Sequence, residues 1–95
     1  MYTRLTTFQA DKAKLGTLEQ SMDSVRKQLK EVPGVVSCHS SWNDNGNGAV
    51  TAVYESKELA EAAAEKVRGI WGSLAGMLTE PPSTTVYEHV VDLKG

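Results

Sequence analysis

Histidine, tryptophan and tyrosine supply most of the side chains in this chain that can do chemistry near neutral pH. They are few: His39 and His89, Trp42 and Trp71, Tyr2, Tyr54 and Tyr87. An imidazole ionises close to neutrality, so a histidine beside a phenolic ligand can take its proton as a general base, leaving an electron-rich ring open to attack by dioxygen. His89 is the candidate for that role, because it alternates with Tyr87, Val91 and Leu93 on the more apolar side of the last predicted strand. The competing reading is a structural histidine satisfied on an apolar face. His39 alternates with Ser37 and Ser41 and reads as a surface residue.

Trp71 lies four residues after Val67 and three before Leu74, flanking an apolar helical stripe beside two glycines. It is either a wall that stacks a flat aromatic ligand, with Tyr87 as a second wall, or an ordinary core tryptophan. Trp42 and Tyr54 flank a hairpin and would line the ligand site or a subunit interface, and the enrichment of such side chains at interfaces favours the interface. Cys38 has no basic residue or helix N-terminus near it to lower its pKa and reads as an inert thiol. Two distant histidines and one cysteine make no metal-ligand set, and Gly46-Asn47-Gly48 joins two strands instead of opening a helix, so neither a metal nor a cofactor is expected.

The elements that must position these residues follow from periodicity. Tyr2 to Phe8 is rich in Thr, Tyr and Leu and predicts a first strand. Leu15, Leu18, Met22, Val25, Leu29 and Val32 recur at spacings of three and four on one helical stripe, with Thr17 and Gln20 as a capping box and Pro33-Gly34 as the stop. Val35 to Trp42 predicts a second strand, Asn43 to Gly48 a hairpin turn, and Ala49 to Tyr54 a third strand without charge on either face. Ser56 caps a second helix with Leu59, Ala63, Val67, Ile70, Leu74 and Leu78 on its buried stripe, and Gly69 and Gly72 predict a kink or break within it. Thr84 to Leu93 alternates as a last strand.

This order predicts one α+β domain over residues 1–95, a ferredoxin-like βαββαβ unit with an antiparallel four-stranded sheet and two helices on one face. The other face of the uncharged third strand also needs cover, and the same face of a second copy would supply it, which predicts a homodimer. A formal charge of −2 with interspersed signs gives no footprint for nucleic acid. One cysteine, no signal-like start and no apolar run of spanning length predict a cytoplasmic protein without a membrane partner.

Pro33-Gly34-Val35-Val36, the hairpin into Ala49 to Ser56, and the alanine-rich opening Leu59 to Ala64 resemble the dimeric α+β-barrel superfamily, in particular its antibiotic biosynthesis monooxygenase-like members. The resemblance spans nearly the whole chain. It implies a barrel dimer with a pocket in each protomer between sheet and helices, and relatives that include cofactor-independent oxygenases of aromatic polyketides and haem-degrading enzymes. The haem-degrading branch has a first-strand asparagine and an iron-ligating histidine. Here the first strand carries Thr6 and Thr7 instead, and the second helix has no histidine, although Trp71 matches that branch's tryptophan. The expectation is thus a cofactor-independent monooxygenase of an aromatic or phenolic molecule. The alternative is a non-catalytic dimer that binds a small hydrophobic ligand or serves as a pathway accessory.

Overall fold

Antiparallel pairing of Tyr2 with Tyr54, continuing in register to Gln9 with Asn47, is the spine of the fold. The computed structural model, which describes Met1–Gly95, has the order β1 (Tyr2–Gln9), α1 (Leu15–Leu29), β2 (Val35–Trp42), β3 (Asn47–Tyr54), α2 (Lys57–Ala62), α3 (Ala64–Leu74) and β4 (Ser83–Tyr87). The four strands form one antiparallel sheet in the order β2-β3-β1-β4, the ferredoxin-like α+β arrangement that the element order predicts.

Strand alternation sends Tyr2, Arg4, Thr6 and Phe8 of β1 and Tyr54, Ala52 and Val50 of β3 toward the helices. Tyr2, Ala52 and Tyr54 pack there against Val32, Ala60 and Ala63, while Phe8, Ala10 and Leu18 form a second buried group. The first helix ends at Leu29 with Lys30 as its cap, short of the expected stop at Pro33-Gly34; Gly34, at φ 86°, turns the chain into β2, and its carbonyl accepts from Glu55 N–H at 2.8 Å. An irregularity between Val35 and Ser37 shifts β2 by one residue, so that Cys38, Ser40 and Trp42 pair with Ala52, Val50 and Gly48 on the helix side.

Several local expectations need correction. The first helix starts at Leu15 behind a short 3-10 turn, Lys12–Lys14; Asp11 caps that turn, its carboxylate accepting from Ala13 N–H at 2.9 Å, while the helix itself has Lys14 at its N-cap position without a side-chain cap and Thr17 lies inside it. Ser56 does cap α2, accepting from Leu59 N–H at 3.2 Å. The interruption of the second helical segment falls at Ala63, not at the glycines: α3 runs through Gly69 and Gly72, where an added Cβ would meet no other element within 4 Å. A glycine weakens a helix through backbone entropy, but it does not impose a bend.

The last strand ends at Tyr87, not Leu93, because Tyr87 already pairs with Thr3 and β1 has almost no residue left to offer. Beyond it Val91 and Leu93 are 78% and 96% exposed. On the sheet's outer face Thr51 is exposed and Ala49 and Val53 are half-buried, so β3 is not covered on both sides within the one chain.

Candidate functional site

α1 and α3 roof the sheet without closing onto β2, and a cavity of about 1050 Å³ lies between. Its floor is the helix-facing row of the sheet, including Arg4, Thr6, Cys38, Val50 and Tyr54; its roof includes Leu18, Met22 and Val25 of α1 and Ile70 and Trp71 of α3. Glu19, Asp23 and Arg26, exposed on α1, and exposed His39 on the edge strand β2 also border it, which sets a polar rim around an apolar interior.

The aromatic residues divide by strand phase. Trp71, Trp42 and Tyr54 line this cavity. Trp71 meets Phe8 with ring centroids 5.8 Å apart and planes tilted by 55°, and Tyr54 is 1% exposed. Tyr87 pairs with Thr3 on the opposite phase of the sheet, is 49% exposed and does not border the cavity. His89 is exposed past the end of β4 and is likewise absent from the lining. Trp71, Tyr87 and His89 therefore do not converge in the single chain. The alternation that put His89 on a strand face with Tyr87, Val91 and Leu93 has no strand beneath it.

Burial raises the Cys38 thiol above its ordinary range, so the neutral form dominates near neutrality and the group is a poor nucleophile. Burial also raises the Tyr54 phenol, with the Arg4 guanidinium pulling the other way. Neither group is a base near neutral pH. No cluster of three or more metal-binding side chains is present.

Arg4 is the site residue that motif reasoning missed. It stands in the same cross-sheet row as Cys38, Ala52 and Val86, on the two central strands' helix side. Its Nε is buried with no hydrogen-bond partner, and none of the ion pairs of the chain includes it. A buried donor left unpaired costs about 1–3 kcal/mol, more when the group is charged. The signal was available in the sequence as one lone cation in the inward phase Tyr2, Arg4, Thr6, Phe8 of an otherwise neutral strand.

No protein-family model matches the sequence, and no curated protein does. Solved structures do. An antibiotic biosynthesis monooxygenase candidate from Nitrosomonas europaea superposes with a TM-score of 0.77 at 17% identity, covering 96% of this chain and 100% of that one. A second such candidate, from Caulobacter crescentus, gives 0.80 at 14% identity over 95% and 90% of the two chains. A monooxygenase of Streptomyces coelicolor, solved in complex with nanaomycin D, gives 0.70 at 22% identity over 97% and 89%. The chain has the ferredoxin-like α+β fold of antibiotic biosynthesis monooxygenase-like proteins.

Proposed function

We propose that residues 1–95 act as one domain that binds a flat aromatic or phenolic molecule between sheet and helices and, as a cofactor-independent monooxygenase, oxidises it with dioxygen. The observation that carries this reading is the cavity of about 1050 Å³ with Trp42, Tyr54 and Trp71 around it. The Streptomyces coelicolor neighbour, a monooxygenase in complex with nanaomycin D, supports the same ligand class. A phenolic ring that has lost its proton is electron-rich enough to react with dioxygen unaided. For a ring CH2 taken to a ketone, one oxygen atom enters the carbonyl and the other leaves as water with the two hydrogens, the substrate supplying all the electrons.

Turnover needs a proton acceptor. His89, the expected acid–base group, would have to reach a cavity from which it is separated in the single chain, whereas Glu19 and Asp23 of α1 already border it, and His39, which pairs with Thr51 on the outer phase of the sheet, meets it only at the β2 edge. The second reading, a binding protein without turnover, draws on the interior of the cavity: burial raises Cys38 and Tyr54 there, so neither serves as a base near neutral pH.

The reading includes a homodimer. Ser37, His39 and Ser41 of β2 with Thr3, Leu5, Thr7, Ala49, Thr51, Val53, Thr85 and Tyr87 form an outer sheet face without Lys, Arg, Asp or Glu, and a face of this kind suits burial against its own copy.

The test is tryptophan-fluorescence titration of the protein and of Trp71→Phe with haemin and hydroxylated polycyclic aromatics, followed by oxygen uptake. Saturable quenching that disappears in Trp71→Phe is expected. Oxygen uptake with a quenching ligand, lost in His39→Ala or His89→Ala, identifies the proton acceptor; quenching without uptake favours the binding reading. No saturable quenching by any compound would sink the aromatic cavity.

A further inference from the structure

From the unpaired guanidinium in the cavity floor, we infer that Arg4 anchors a carboxylate on the aromatic ligand, so that the site selects aromatic acids over their neutral analogues. The inference rests on the aromatic-cavity reading and adds to it the charge that the ligand must carry.

Three observations converge on Arg4. Its Nε is buried and receives no hydrogen-bond acceptor from the chain, and no acidic side chain pairs with it. A guanidinium is a planar fork of donors with no acceptor of its own, and its matching partner is a two-oxygen anion. Arg4 is also placed for a ligand, because it borders the large cavity together with Trp71 and Tyr54.

The third observation concerns charge. Arg4 and Trp71 also border a second, smaller cavity of about 210 Å³ between α3 and β4, which Arg68 flanks and no acidic residue enters. Thr6 and Thr84, whose hydroxyls lie 3.0 Å apart, complete its polar lining. The acids bordering the large cavity, Glu19 and Asp23, are on the exposed face of α1, and Asp23 is already paired with Arg26 at 2.6 Å. Positive charge around Arg4 is thus left for a ligand to neutralise, and a flat ring against Trp71 would bring its carboxylate within the same wall.

The experiment compares hydroxynaphthoic acid with its methyl ester at neutral pH, titrated by tryptophan fluorescence into the wild-type protein, Arg4→Met and Arg4→Lys. Two charge-assisted hydrogen bonds in a partly buried site predict that the wild type binds the acid about 10- to 100-fold more tightly than the ester. Arg4→Met should bind the two alike. Arg4→Lys keeps the charge but not the fork and should fall between, which preserves the readout if Arg4→Met does not fold. Equal binding of acid and ester by the wild type, or a preference that survives in Arg4→Met, would overturn the role of Arg4 and leave the aromatic cavity standing. Binding of neither compound would overturn the cavity reading and this inference with it.

Discussion

Phe8 and Trp71 hold the sheet to α3: their rings meet 5.8 Å apart at a tilt of 55°, at one end of the cavity. A tilted pair sets the edge of one ring toward the face of the other and adds to what burial alone contributes. Phe8 is buried against Ala10 and Leu18, with Trp42, Val50 and Leu78 at its margins. Phe8→Ala should cost about 3–5 kcal/mol of stability, measured by chemical denaturation, and should shift Trp71 emission toward that of a solvated indole. A loss below about 1 kcal/mol would show that the pair does not hold the two layers together.

Room for the Phe8 ring comes from Gly48 across the strand pair. A Cβ there would stand 2.4 Å from Phe8 Cζ and 2.6 Å from the Ser41 carbonyl oxygen. Gly48→Ala should therefore destabilise by about 1–3 kcal/mol through overpacking. Gly69→Ala, in α3 where the new Cβ would meet no other element within 4 Å, should stabilise by up to about 1 kcal/mol. Thermal melts of the two variants should move in opposite directions; movement in the same direction would contradict this packing.

Alkaline pH should weaken the fold through Cys38. Its folded-state pKa is raised by burial above the ordinary 9.0, so between the unfolded and folded values the native state holds a proton that the unfolded chain has released. Stability is then full below pH 9.0 and falls as pH rises through that interval. Tyr54, raised from 10.0, adds to the loss at still higher pH. In Cys38→Ala the decline should begin later, where Tyr54 starts to titrate. Identical alkaline profiles for wild type and variant would exclude the thiol as the source.

The Thr6 and Thr84 hydroxyls tie β4 to β1 at 3.0 Å. Thr84→Val should cost about 0.5–1.5 kcal/mol and speed amide exchange in β4 more than in β3. Uniform acceleration across the sheet would instead report a global effect.

Dimerisation through the outer sheet face predicts that Thr51→Lys, which sets a charge at the centre of that face, yields monomers in light scattering while leaving the secondary structure intact. A wild type that is already monomeric, or a Thr51→Lys protein that is still dimeric, would remove this face as the interface.

Periodicity alone determined most of the architecture. The helical spacing from Leu15, the turn residues from Asn43 and Ser56 as a cap are local signals, because each depends on backbone geometry within a few residues, although the helix stops at Leu29, before Pro33-Gly34, and Asn47 and Gly48 already pair with β1 as part of β3. What depended on partners was not legible. The alternation of Thr84 to Leu93 is real, but a strand needs a neighbour, and only the register of Tyr87 with Thr3 shows that β1 runs out. That register strips His89 of its strand face. Sheet order decided the rest of the site: Trp42, Tyr54 and Trp71 share the cavity because β2, β3 and α3 meet around it, while Tyr87, on the opposite phase, faces away. Arg4 was visible as a lone inward cation, but that no acid of the chain comes to meet it is a fact of three-dimensional packing, which no spacing along the sequence contains.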